Sequence, residues 1–296
     1  MRSVFSMTAK NRRTALFVFC AVLLGGVVIW AASDLLGAAN SKAQQSAVAS
    51  TETQVAAFDS LPSAESQQSK PNPPQGDWAT INKNEPRIKE LDKEYLALAE
   101  SAKSAKETQG AIPGDAVAKL KALTDEYVSL QDQNAVAWEG MKPVCKTRAK
   151  TSRDLAAARK ASNDVLCAEE MDKKKLGEMK EAESALATSH TEYTKSEEAK
   201  DVAPAEKTRI KQNVIPGIDA SLKKVAGLIS EVTGLIKEAQ SVATGVADAK
   251  SSPLGALNAV KKGGGILDDL KNLLGIVQGT EKNMKTVKKN AETLAK

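Results

Sequence analysis

Near the C-terminal end, Ile215, Ile218, Leu222, Val225, Ile229, Val232, Ile236, Ala239, Ala243 and Val246 recur at alternating spacings of three and four. On an α-helix that spacing gathers the apolar side chains into one stripe, which must be buried against something. Leu228, Leu235 and Val242 widen the stripe, and Ala220, Gly227, Gly234 and Ser241 form a small-residue row beside it. The face is broader than a two-stranded coiled coil needs. This helix is therefore expected to sit between several neighbours or against lipid, with Ile215, Ile218, Leu222, Val225, Leu228, Ile229, Val232, Leu235 and Ile236 as an interaction face. Ile266, Leu270, Leu273, Val277, Thr280, Met284, Val287, Ala291 and Leu294 give a second seam. Pro253 and the glycines at 263–265 separate the two, which predicts an antiparallel helical hairpin over 214–296.

The same spacing appears upstream. Ile88, Leu91, Tyr95, Leu98, Ala102 and Ala105 form one seam, with Pro86 suited to its first turn. Gly110 and Pro113-Gly114 break it, Asp115 can cap the next helix, and Leu120, Leu123, Tyr127, Leu130, Asn134 and Ala137 form another. Asn134, polar at a seam position, is of the type that sets register. Gly140 and Pro143 end that helix. From about 147 to 200 the chain favours helix but is poor in apolar residues, so it reads as largely solvated. A helical coiled-coil region over 86–200 and a linker at 201–213, marked by Pro204, complete this part.

The N-terminal segment sets the expected location. Residues 15–32 carry no charge and are mostly Leu, Val, Phe, Ala and Ile, after Arg2, Lys10, Arg12 and Arg13. At ~1.5 Å per residue the run matches a ~30 Å hydrocarbon core, and the flanking charge orients residues 1–13 to the cytoplasm. The expectation is a bacterial inner-membrane signal anchor over 14–36 with the bulk in the periplasm. A cleaved signal ending near Gly37-Ala38-Ala39 is the alternative. The absence of any Asn-x-Ser/Thr sequon fits an envelope protein better than a eukaryotic secretory one. Residues 37–85, rich in Ser, Ala, Gln and Pro, read as a disordered tether.

Little chemistry is legible. Aromatic residues are 3% and charged residues 27%, a balance of long helices rather than of layered enzyme domains. A net charge of +5 gives nucleic-acid binding little support. His190 is the only histidine and is expected on a polar surface, so neither a histidine metal site nor a catalytic triad is anticipated. No cofactor, small-molecule substrate or enzymatic activity is expected. In an exported protein Cys145 and Cys167 could pair, but one continuous helix between them would hold them ~33 Å apart. The pairing therefore requires a fold-back, for which Ser162-Asn163-Asp164 offers a helix start. Lys282, Lys285, Lys288 and Lys289 form a basic C-terminal patch, read first as lysines that complement the negative end of the helix dipole and keep a coiled coil soluble, with an acidic partner or an anionic surface as the alternative. The fold expected is all-α. The function expected is a membrane-anchored, non-enzymatic helical scaffold or adaptor that docks a helical partner or itself. The alternative is a membrane-active or lipid-handling hairpin.

Overall fold

A computed structural model describes the backbone of residues 9–248 and 253–296, and the side chains of 33–242 and 265–296. The architecture is all-helical, with no strand among the described residues beyond an isolated antiparallel bridge between Gln75 and Lys142. The α-helices are α1 (Ala9–Asp59), α2 (Ala64–Gln68), α3 (Trp78–Gln109), α4 (Gly114–Gly140), α5 (Lys146–Leu166), α6 (Lys173–Thr194), α7 (Pro204–Arg209), α8 (Ile215–Asp248) and α9 (Pro253–Leu294). A π-helical turn, Ile210–Val214, joins α7 to α8.

Several breaks fall where the sequence puts them. Gly110 ends α3 in the left-handed region at φ 79°, donating its N–H to the Lys106 carbonyl at 2.8 Å, a conformation that costs glycine least. Others move. The Asp77 carboxylate accepts from the Thr80 N–H at 3.0 Å and starts α3 well before Pro86, which lies inside the helix. The helical stretch expected over 147–200 divides after Leu166, not at Ser162-Asn163-Asp164, and Asp172 caps the restart through the Lys174 N–H at 2.9 Å. The expected linker is mostly helical as α7 and the π turn, and the glycines at 263–265 lie within α9.

The chain forms two compact units with boundaries unlike those read from sequence: residues 1–39 with 232–272, and residues 40–231 with 273–296. In the first, Leu35, Ala39, Val232, Ala239, Ile266 and Leu270 are buried. The anchor expected over 14–36 falls almost wholly on residues whose side chains lie outside the described set. Among the described residues no helix is long and apolar enough to cross a membrane.

The second unit has one main core, drawing Phe58 from α1, Ile88 and Leu91 from α3, Tyr127 from α4, Leu155 from α5, Leu186 from α6, Ile218 from α8 and Val287 from α9. A smaller cluster joins Ile81, Trp138, Met141 and Cys145, with Trp78 edge-on to Trp138 at 5.5 Å. At the Gln75–Lys142 bridge the chains run so close that a Cβ on Gly76 would stand 2.6 Å from Met141 Sδ.

Residues 40–59, expected as tether, are instead helical and central. Every residue from 46 to 54 is buried. The composition that suggests disorder is here a packing device: Ala, Ser and Thr let neighbouring helices approach closely. Ala43, Ala47, Ser50, Gln54, Ala57 and Leu61 are spaced as a heptad seam and all are buried. Two more seams of mixed polarity exist. In α5 it is Arg148, Ser152, Leu155, Arg159, Ser162 and Leu166; in α6 it is Leu176, Met179, Glu183, Leu186, His190 and Tyr193. The apolar seam of α9 is buried along its whole length as spaced.

Asn134 is buried and partnered rather than at an exposed helix end. It accepts from Asn84 Nδ2 at 3.0 Å, both buried, tying α4 to α3. Asn134→Leu removes the acceptor and leaves the Asn84 amide poorly satisfied, an expected loss of about 1–3 kcal/mol in urea denaturation. A loss below about 0.5 kcal/mol would show that the pair does not hold these helices.

Candidate functional site

The polar seams meet in four buried clusters. In the first, the fully buried Arg159 guanidinium lies between the rings of Tyr95 and Tyr127, 4.4 and 4.5 Å from their centroids. Nε donates to Gln54 Oε1 at 3.1 Å and Nη2 bonds Asp92. Gln54 donates to Ser50 and Ser162, and the Tyr95 hydroxyl donates to Asn163 at 3.0 Å. Burial pushes the Asp92 carboxyl up, and the charge of Arg159 opposes it. With α1, α3, α4 and α5 all contributing, the cluster fixes four helices in one register.

The second cluster surrounds Arg148 at the end of α1. Its guanidinium donates to Glu85 at 3.0 Å and to the Pro62 carbonyl at 3.3 Å, and it lies 4.8 Å from the Trp138 ring and 5.6 Å from Tyr193. Arg209 donates to the Asp59 and Leu61 carbonyls at 2.7 and 3.3 Å. Two cations thus meet the carbonyl-rich C-terminal end of α1, where the helix dipole favours positive charge. At the N-terminal end of α5, beside the same Arg148, Glu198 accepts from the Thr147 and Arg148 N–H groups at 3.1 and 3.0 Å.

The third cluster corrects the placement of His190, which is fully buried. Asn290 Nδ2 donates to Nδ1 at 3.0 Å, so the ring proton sits on Nε2 and is given to Ser60 Oγ at 2.6 Å. Ser60 in turn donates to the Ala57 carbonyl at 2.9 Å. Burial, with the nearby Arg148 charge, holds the imidazole pKa down at about 4, so it is neutral at physiological pH. The fourth cluster is Glu183, buried and bonded by the Thr280 hydroxyl at 2.8 Å. Burial pushes its carboxyl up to about 7, opposed by the hydroxyls of Thr280 and Ser50.

The cysteines do not meet. Both are free, and they flank α5, Cys145 at its N-cap and Cys167 at its C-cap. The chain does not fold back between them, and an uninterrupted helix holds them ~33 Å apart. Burial pushes each thiol up to about 11. Since the thiolate is the reactive form, alkylation of Cys145 and Cys167 in the folded chain at pH 7.5, followed at each cysteine separately from Cys20, is expected to run at least about tenfold slower than that of a free cysteine peptide. Labelling at the peptide's rate would contradict this environment.

The interaction face read from α8 is largely turned inward. Ile218, Val225, Leu228 and Val232 are buried, while Ile215, Leu222, Ile229, Leu235 and Ile236 are half-buried. Ile215 and Leu222 pack on the core that includes Val287, Ala291 and Leu294. In the basic patch, Lys288 pairs with Asp219 and Lys285 with Glu281, each at 2.7 Å, while Lys282 and Lys289 are exposed.

Three surface depressions among the described residues of the second unit bear on function, the smallest, about 390 Å³, lying between α6 and α9 beside Glu192, Lys195 and Lys282. Another, about 400 Å³, is lined by Lys70, Trp138, Pro143, Cys145, Arg148 and Glu198 among others. Lys70 there donates to the Glu198 and Lys200 carbonyls, and Arg148 to Glu85 and the Pro62 carbonyl. The largest of the three, about 930 Å³, runs along α4. The seam polarity of Gln54, Arg148, Arg159, Glu183 and His190 is what sequence reasoning missed. Its only local signal was the three-four spacing, visible once polar residues are allowed into it. No group of three or more His, Cys, Asp or Glu side chains suited to a metal occurs among the described residues. Compared with known proteins, the chain matches no family, no curated protein and no solved structure.

Proposed function

We propose that this chain is a non-enzymatic, membrane-anchored helical scaffold that docks proteins in a cell-envelope assembly, with residues 14–36 as its anchor and the bundle outside the cytoplasm. The observation that carries this reading is where the chemistry-capable side chains are spent. A general acid or base must reach the proton it transfers. His190 is instead enclosed between Ser60 and Asn290, and Arg148, Arg159 and Glu183 tie helix to helix. Groups spent this way serve register and rigidity, properties a docking platform uses.

The lipid-active reading draws less support. Its apolar α8 stripe is covered within the chain at Ile218, Val225 and Leu228, and Lys288–Asp219 and Lys224–Glu52 tie α8 to α9 and to α1. Photolabelling from the bilayer core with an apolar carbene reagent is expected to mark residues 14–36 and spare Ile218 and Val225. Label on those two would favour the lipid reading. The scaffold reading is tested by crosslinking in intact cells followed by mass spectrometry. A recurrent protein neighbour is expected, and a chain crosslinked to nothing, itself included, would overturn it.

A further inference from the structure

We propose that the groove along α4 receives α9 of a second copy of this chain, Lys282 and Lys289 of one copy pairing with Asp125 and Asp132 of the other. The groove, about 930 Å³, is walled by Asp77 and Thr80 of α3, the outer face of α4 and Lys160 of α5. Val128, Val136 and Ala137 give it an apolar strip, and Val136 is 66% exposed, more than Leu36 or Val144, the other exposed large apolar residues among those described. Asp125 and Asp132 stand exposed on its rim; neither carboxylate bonds a cation directly among the described residues, while Arg153, itself bonded to Glu139, lies near enough to Asp132 to feel its charge. By contrast Glu126, on the same helix, is held by Arg87 at 2.7 Å.

The complement is on the chain itself. Lys282 and Lys289 are exposed on α9 with the same seven-residue separation as the two aspartates. Seven residues are two helical turns, ~10.5 Å, so helices packed at a shallow angle keep both pairs in reach. Lysine suits the groove twice over: its methylene stem can cover Val128 and Val136 while the ammonium reaches the rim carboxylate. Groove and lysine face are different patches, so each contact is heterologous and joins the groove of one copy to α9 of the next. Rim pairs of this kind are individually weak and screened by salt, so the association is modest and ionic-strength dependent.

This deepens the scaffold reading, on which it rests, by naming one partner. The test uses the full chain in lipid bilayers, with light and heavy-nitrogen chains mixed equally and joined by a zero-length carbodiimide. Mixed-isotope peptides linking Asp125 or Asp132 to Lys282 or Lys289 are expected, falling about fivefold or more when salt is raised to ~1 M. The double variant Asp125→Lys, Asp132→Lys should lose them. Mixing it with Lys282→Asp, Lys289→Asp should restore a link between the same positions with the charges exchanged. Links found only within one chain, links between copies at other residues alone, or charge exchange without restoration would each overturn the proposal. If they do while cellular neighbours are still captured, the scaffold reading survives and self-docking through this groove does not.

Discussion

Arg159→Ala is expected to cost about 3–5 kcal/mol, the largest loss of any single substitution in the second unit. The substitution removes a guanidinium held between Tyr95 and Tyr127, empties the space between the rings, and strands Asp92 and Gln54. An unpaired buried carboxylate is the dominant penalty, because the low-dielectric interior offers no substitute for water. For a unit this large the thermal midpoint should fall by roughly 10 °C. The partner experiment separates charge from volume. Asp92→Leu combined with Arg159→Met removes both charges but keeps the core filled, and should recover at least about 2 kcal/mol of the loss. A single variant that costs less than about 1 kcal/mol would mean the cluster holds nothing together. A double variant no better than the single would place the energy in the Tyr95–Arg159–Tyr127 stack instead.

Two buried groups should oppose each other in the pH dependence of stability over nearly the same window. The parent's profile is therefore expected to be nearly flat between about pH 4 and 7, with each limb visible only when the other group is removed. His190 stays neutral in the fold down to about pH 4, against 6.5 in the unfolded chain. The unfolded state therefore takes up a proton first as pH falls. The stability that neutral His190 represents is complete above 6.5 and is lost between 6.5 and 4, about 3 kcal/mol in all. Glu183 has the opposite sign. Its folded carboxyl keeps its proton up to about 7, against 4.5 unfolded, so its contribution is complete below 4.5 and is lost as pH rises through 7, again about 3 kcal/mol. Thermal midpoints measured from pH 4 to 9 check both. Glu183→Gln should raise the midpoint at pH 8 by several degrees and have little effect at pH 4.5. His190→Gln should raise the midpoint near pH 4 relative to the parent, leave it unchanged at pH 8, and so expose the fall between about 4.5 and 7 that Glu183 causes. Variant profiles parallel to the parent's at every pH would contradict the buried placement of both groups.

Where a seam is apolar, spacing alone places it. Ile266 to Leu294 is buried as spaced, and so are Ile88, Leu91 and Tyr95 in α3 and Leu120 and Tyr127 in α4. Asn134 could be nominated as a register residue because its seam was already visible around it. Gly110 could be read as a stop because few residues other than glycine accept the left-handed conformation it adopts. The polar seams were hidden for a definite reason. Arg159, Glu183 and His190 lie in stretches whose apolar content is too low to mark a face, so α5 and α6 read as solvated. Residues 40–59 read as tether because Ala, Ser, Thr and Gln are the common vocabulary of disorder and of a tightly enclosed helix. Nothing local separates the two.

The sequence by itself determined that the chain is helical, which apolar stripes must be buried, and most positions where helices stop. These follow from periodicity, capping and backbone stereochemistry, all of which act over a few residues. Tertiary structure decided that the helix through 40–59 is the centre of the second unit, that His190 is sealed, that Cys145 and Cys167 stay apart, and that the α8 face is covered from within. The physical reason is the cost of burying a polar group, which is cancelled only by a partner of matching geometry. For Gln54, Arg148, Arg159, Glu183 and His190 that partner always stands on another helix, many residues away.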